Sequence, residues 1–197
     1  MPTGDTEELR VRWDKRHQEA EGVGNPAKVL LENLHLLPSN GDALDLACGR
    51  GANALLLAEA GLRTQAWDLS SIAIERLQAE ADSRGLDIQA QARDVIAQPP
   101  SPDSWDVIVV SHFLDRVLAP AIIEALRPGG LLFYQTFAQV AVSDRGPDNP
   151  AFRLADNELL ELFSPLGVRV YREEGRLGDI STGWRDIAML VAEKKPQ

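Results

Sequence analysis

The chain has 197 residues, 44% of them hydrophobic and 25% charged, with 20 Lys and Arg against 30 Asp and Glu for a formal charge of −10, and a single cysteine. This is ordinary globular composition; it excludes a disordered or fibrous chain, an internal disulfide framework and a multi-thiolate metal site. The acidity disfavours nucleic acid and anionic membranes as partners.

No apolar run approaches the ~18 residues of a membrane span, and the acidic N-terminus lacks a signal pattern. A cytoplasmic location and a single domain over 1–197 are therefore expected. His17, His35 and His112 lie far apart in the sequence, so no metal site is expected. Residues 1–24 are polar, with Trp13, Arg16 and His17 scattered through them, and are read as an N-terminal lid. Asn25-Pro26 predicts a helix start. Val29, Leu30, Leu34 and Leu37 continue that helix at helical spacing, and Pro38-Ser39-Asn40-Gly41 stops it.

Ala43–Ala47 is a short apolar strand that runs into Gly49-Arg50-Gly51, and Leu55–Ala60 follows as a helix. Thr64–Trp67 predicts a second strand ended by Asp68. Ser70 or Ser71 caps a helix through Arg84, with Gly85 as its stop. Asp87–Ala92 is a third strand, and Pro99-Pro100-Ser101-Pro102 a surface loop. Trp105–Ser111 carries Val107-Ile108-Val109-Val110, the continuous β-branched run of a strand covered on both faces. A helical segment from Phe113 to Leu126 is read as broken at Pro120, and Arg127-Pro128-Gly129-Gly130 as a turn into the strand Leu131–Phe137. Residues 138–155 read as a structureless loop, and a loop that long is usually functional or disordered. Asp156 is expected to cap a short helix carrying Leu159, Leu160 and Phe163. Val168–Arg172 and Ile187–Ala192 form a closing strand pair.

Strands alternating with helices predict a parallel sheet covered on both faces, and such sheets bind ligands beyond the carboxyl ends of their strands, at the switch point. Gly49, Gly51 and Ala54 satisfy G-x-G-x-x-[GA], and Asp68 follows at about the distance of a ribose-binding acid. An NAD site is formally open. Asp45 argues against it. A carboxylate at the mouth of the turn would face a pyrophosphate, opposing it by roughly 3 kcal/mol per charge pair at ~5 Å and an effective dielectric of ~20. The same carboxylate suits a ligand with a positive group, such as the α-ammonium of S-adenosylmethionine (SAM).

The run from Asp45 to Gly51, followed in order by Asp68, Asp94 and Pro128-Gly129-Gly130, resembles the class I SAM-dependent methyltransferases. Ala66-Trp67-Asp68, and Trp13-Asp14 with Arg16-His17, are similar to the small tellurite-resistance and thiopurine-type members. The resemblance implies an α/β, Rossmann-like class I methyltransferase fold. This is a mostly parallel seven-stranded sheet with helices on both faces and a C-terminal antiparallel strand pair. It implies SAM as cofactor and S-adenosylhomocysteine (SAH) as product. Asp45 would bind the methionine ammonium, and Gly49 and Gly51 would pass beneath the methionine and ribose. Asp68 would accept from both ribose hydroxyls, Asp94 from the adenine amine, and Leu69 and Val95 would sandwich the ring.

The sulfonium is expected near Ser111-His112-Phe113, where His112 is the imidazole placed to take a proton. Ser111 joins the cofactor-binding set. The 138–155 loop is expected to cover this point, and Arg145, Arg153 and Arg116 are the nearby cations for an anionic substrate. His35 and Cys48 read as packing residues, as do Trp67 and Trp105, while Trp13 belongs to the lid. The leading reading is a methyltransferase acting on a small molecule, with anionic and metalloid acceptors among the candidates. The alternatives are an NAD-dependent oxidoreductase on a Rossmann sheet and a non-catalytic SAM-binding module. An RNA methyltransferase is disfavoured by the charge and by Ser111-His112-Phe113-Leu114 where a base-modifying enzyme carries Asn-Pro-Pro-aromatic.

Overall fold

The computed structural model describes residues 3–196. Seven strands form one sheet in the order β3-β2-β1-β4-β5-β7-β6. They are β1 (Asp42–Leu46), β2 (Arg63–Asp68), β3 (Ile88–Ala92), β4 (Trp105–Ser111), β5 (Leu126–Phe137), β6 (Gly167–Glu173) and β7 (Ile187–Glu193). Neighbours are parallel from β3 through to β5. β7 runs antiparallel between β5 and β6. The expected fold class therefore holds, antiparallel pair included.

Pleating sorts each strand's residues between two cores. Ala43, Val107, Val109, Phe133 and Val191 face Val29 and Leu30 of α2 (Lys28–Leu31) and Leu57 of α3 (Ala52–Glu59). Their neighbours Leu44, Ile108, Val110, Leu132 and Tyr134 face Ile122 of α5 (Ala119–Ala125) and Leu159 of α6 (Glu158–Leu162). This two-sided burial is why β4 is apolar without alternation. Each fully buried aliphatic side chain contributes roughly 1.5–3 kcal/mol. A third cluster joins Leu55 and Ala66 to Leu77 of α4 (Ser71–Arg84).

Several local expectations are corrected. Residues 3–19 form a helix, α1 (Thr3–Glu19), that no apolar stripe announces. The predicted helix from Asn25-Pro26 is only α2 and one 3-10 turn (Leu34–Leu36). It breaks where the Asn33 side chain turns back to donate to the Val29 carbonyl at 2.9 Å. Pro120 starts α5 instead of interrupting a longer helix, because a proline in the first turn has no backbone hydrogen bond to lose. Arg127-Pro128-Gly129-Gly130 lies inside β5, at a register shift opposite Trp105 and Val107. Asn157 takes the N-cap position of α6 in place of Asp156, with a φ of 64° and no side-chain cap. Loop 138–155 is ordered: Ala138 bridges Leu154, and Pro150–Phe152 form a 3-10 turn. Ser70 caps α4 through the Ala73 N–H at 3.2 Å, and Gly85 ends it at a φ of 67°, as expected.

Candidate active site

The strand order reverses between β1 and β4, and it is beyond the carboxyl ends at such a reversal that sheets of this kind bind ligands. Each strand leaves the sheet through a non-glycine residue in the left-handed region, Ala47 at a φ of 55° and His112 at 56°. Such a conformation costs about 1–3 kcal/mol and persists where the surroundings impose it. After Ala47 the turn is closed by the Gly51 N–H donating to the Cys48 carbonyl at 3.0 Å. Gly51, at a φ of 79°, is the N-cap of α3. A Cβ there would lie 2.8 Å from Leu77 Cγ and closer still to its methyls. This glycine thus serves the packing of the turn on α4. At Gly49 (φ 54°) an added Cβ would meet His17 Cε1 at 3.4 Å. Cys48 is buried within the turn, and burial pushes its thiol pKa far up, in keeping with a packing role.

Asp45 has no exposed surface. One carboxylate oxygen accepts from the Ala54 N–H at 3.0 Å, and the other faces Asn53 Nδ2 at 3.4 Å. Burial raises its pKa to about 7 against these two bonds. Asn53 is a hub: its Oδ1 accepts from the Ala27 N–H at 2.8 Å, and its Nδ2 donates to Ser111 Oγ at 3.0 Å.

Asp68 ends β2 beside the turn. Its carboxylate accepts from the Gly49 N–H at 2.8 Å and from the Ser70 N–H at 2.9 Å. Burial raises its pKa, those two bonds and His17 oppose the rise, and Asp14 adds to it. A carboxylate offers about four acceptor sites, so two bonds leave capacity for two more. Helix α1 lies over this corner. Asp14 accepts from Ser70 Oγ at 2.6 Å, Arg76 donates to the Ala20 carbonyl at 2.5 Å, and Arg50 donates to the carbonyls of Glu21 and Gly22. Trp13 stacks on His17 at 5.8 Å between centroids. Burial, ahead of all charges, lowers the His17 pKa. The adenine-side residues lie next in the chain: the Arg93 N–H donates to the Asp68 carbonyl at 2.7 Å. Leu69 is half-buried, and Val95 is nearly buried beside Trp67 and Trp105. Asp94 Oδ1 accepts from the Ile96 and Ala97 N–H groups at 3.0 and 3.1 Å, and its second oxygen has no partner among the described residues.

On the β4 side His112 stacks against Phe137 at 5.0 Å, and its N–H donates to the Gln135 carbonyl at 2.8 Å. Burial of the ring, then the positive charge of Arg145, lowers its pKa, so the imidazole is neutral near pH 7. Loop 138–155 does pack here, since a Cβ on Gly146 would strike the Phe137 ring. Arg153 staples the loop from inside, donating to the carbonyls of Pro147, Ala138 and Arg145 at 2.8, 3.0 and 2.6 Å. Arg116 donates to the carbonyls of Ala151 and Arg153 and pairs with Glu158 at 2.5 Å.

Asp45, Gly49, Gly51, Asp68, Leu69, Ser111 and His112 thus lie around three adjacent strand ends, those of β2, β1 and β4, with Asp94 and Val95 on the β3 side. Residues the sequence reading did not single out are Asn53 and Gln135; His17 it left without a role. Gln135 carried a signal, a polar residue directly after the apolar run Leu131–Tyr134.

Residues 16–171 match the model of a family described as a methyltransferase domain. The sequence is 38% identical over 138 residues to hemagglutinin 1 of Eikenella corrodens, covering 66% of this chain and 45% of that protein. The chain therefore spans less than half the length of that curated relative. Among solved structures, TehB from Haemophilus influenzae superposes with a TM-score of 0.71 at 23% identity, covering 86% of this chain and 63% of that one. A protein from Methanosarcina mazei, described as a SAM-dependent methyltransferase, superposes with a TM-score of 0.67 at 20% identity, covering 88% of this chain and 100% of its own. At such identities these likenesses speak for the fold alone.

Proposed function

Because the chain belongs to the methyltransferase-domain family, we propose that it transfers a methyl group from SAM to a small-molecule acceptor. The observation that carries the choice of cofactor is the N-terminus of α3. A dinucleotide's pyrophosphate docks on free N–H groups at the first turn of that helix. Here the Ala54 N–H is held at 3.0 Å by the buried carboxylate of Asp45. A phosphate would meet a carboxylate where it needs a donor. SAM carries no phosphate and presents an ammonium group, so the same arrangement favours it.

In this reading Asp68 accepts from the ribose hydroxyls with the lone pairs that Gly49 and Ser70 leave open. Leu69 and Val95 flank the adenine, and the open oxygen of Asp94 accepts from its amine. Asp45 contributes a negative field beneath the ammonium, relayed through Asn53, since the carboxylate itself has no exposed surface. Gly49 passes close to the methionine and ribose, with His17 next to its Cα. Bound SAM supplies an electrophilic methyl on a sulfonium. On the acceptor side His112 is neutral at working pH and takes the proton that a protonated nucleophile must lose. Holding the acceptor in line is worth more than the base, about 7–11 kcal/mol against a factor of ~10²–10⁴. The ordered 138–155 loop serves that alignment. A formal charge of −10 makes a small acceptor a better fit than a nucleic acid.

Replacing Asp68 by Ala tests the assignment. Two ribose donors lose their acceptor, at roughly 1–3 kcal/mol, so SAM affinity falls about 5- to 150-fold. An unchanged dissociation constant in folded protein refutes the role.

A further inference from the structure

On the acceptor side, beside the neutral His112 ring, Gln135, Ser111 and Arg145 each keep an unused hydrogen-bond donor among the described residues. Gln135 is 3% exposed and shares a strand register with Ser111. Its Oε1 accepts from the Val29 N–H at 2.9 Å, and because that N–H can donate only to an oxygen, the orientation of the amide is fixed. Gln135 Nε2 then donates to nothing among the described residues. The Ser111 hydroxyl accepts from Asn53 Nδ2 and likewise donates to nothing there. Both side chains lie on the α2/α3 face of the sheet, at its carboxyl edge. Phe137, two residues beyond Gln135 on the same face of β5, carries the His112 ring on one side and Gly146 against it.

The third donor is Arg145. Its neighbours Arg153 and Arg116 are consumed by loop carbonyls and Glu158. The Arg145 guanidinium makes no hydrogen bond or ion pair among the described residues, yet its backbone is held at both ends. Its N–H donates to Ser143 Oγ at 3.3 Å, and its carbonyl accepts from Arg153 at 2.6 Å. Ser143 is in turn anchored on Asp186, which accepts from the Val142 N–H, the Ser143 N–H and the Ser143 hydroxyl. The Asp186 carboxylate thus takes three hydrogen bonds from this segment, and the Arg145 charge acts on it without a direct bond. A cation is thus presented from a fixed backbone on the loop whose Gly146 packs on Phe137, the ring that lies against His112. An acceptor with no hydrogen-bond-accepting atom there would leave the Gln135 amide N–H unpaired, at a cost of roughly 1–3 kcal/mol, and a charged oxygen accepts more strongly than a neutral one.

We propose that the acceptor carries an anionic group, a carboxylate or an oxyanion, that pairs with Arg145 and takes hydrogen bonds from Gln135 Nε2 and the Ser111 hydroxyl. This deepens, and rests on, the reading of the same strand ends as a methyl-transfer site. Arg145 is then the specificity-determining residue of loop 138–155. The salt sensitivity of acceptor binding follows from its exposed charge.

The test is a titration of the SAH-saturated protein with sodium benzoate, sodium phosphate and benzamide, followed by the imidazole NMR signals of His112. At least one anion is expected to bind saturably and the neutral benzamide, which cannot pair with the Arg145 charge, far more weakly. Benzoate alone identifies a carboxylate site, phosphate alone an oxyanion site. Arg145→Gln should weaken the anion about 10- to 100-fold, with Arg145→Lys restoring most of it, and Gln135→Leu should weaken it about 2- to 12-fold. SAH affinity, measured by calorimetry, should be the same in the two Arg145 variants and the parent. The proposal is overturned if neither anion binds, if benzamide binds as well as benzoate, or if Arg145→Gln leaves anion affinity unchanged. The same titration on protein without SAH separates the two readings. Failure to bind SAH refutes the methyl-transfer site, while anion binding sensitive to Arg145 still reports on this one.

Discussion

Asp45 is predicted to oppose the stability of the ligand-free protein at alkaline pH. Its carboxyl group is fully buried, and its pKa rises from an ordinary 3.8 to about 7. Between those values the folded state holds a proton that the unfolded state has released, so raising the pH through this window destabilises the fold. At about 1.4 kcal/mol per tenfold change in proton affinity, the full effect is about 4 kcal/mol, of which about 2–3 kcal/mol falls between pH 5 and pH 8. Asp45→Asn removes the titration while keeping an oxygen that can accept from the Ala54 N–H. The assay is urea unfolding of both proteins at pH 5 and pH 8. Comparing each protein's own change with pH cancels the contributions of the other titrating groups, Asp68 and His17 included. The variant should lose about 2–3 kcal/mol less than the parent on going to pH 8. Equal losses in the two proteins would refute the burial argument.

The two glycines of the turn should behave differently. Gly51→Ala forces a Cβ into Leu77 at a positive φ and should cost about 2–4 kcal/mol in urea unfolding, whereas Gly49→Ala, facing His17 at 3.4 Å, should cost about 1–2 kcal/mol. Equal costs would show that Leu77 yields freely. With an acceptor whose nucleophile must lose a proton, His112→Ala should lower kcat by a factor of ~10²–10⁴ at neutral pH, with partial recovery at higher pH, whereas with a nucleophile that arrives ionised it should cost little. SAH affinity should change little, and a large loss of SAH binding in folded protein would put His112 on the cofactor side.

The sheet was legible because its signals are local. The β-branched run of β4 and the glycine turn after β1 declare themselves within a few residues, and the cap and stop of α4 are the residues Ser70 and Gly85 themselves. Helix α1 was not legible, because its few apolar residues form no sustained stripe, and it docks through Asp14 on Ser70 and, just beyond its end, through carbonyls accepting from Arg50 and Arg76. Those partners lie far off in the chain. The same holds for Asn53 and Gln135, whose placement depends on the N–H groups of Ala27 and Val29. Pro120 was misread as a break because a proline that ends one helix and a proline that begins another look alike when no cap residue precedes it. Loop 138–155 looked structureless because its order comes from arginine–carbonyl bonds, which leave no periodic trace in a sequence. Of the three arginines noted there, only the structure distinguishes Arg145 from its two structural neighbours.

The most direct test of the account is calorimetric titration of the unaltered protein with SAM, SAH and NAD in parallel. The buried carboxylate at the first turn of α3 predicts that SAM and SAH each bind at one site per chain and that NAD binds far more weakly or not at all. NAD binding more tightly than SAM, or heat from neither adenosyl compound, would contradict it.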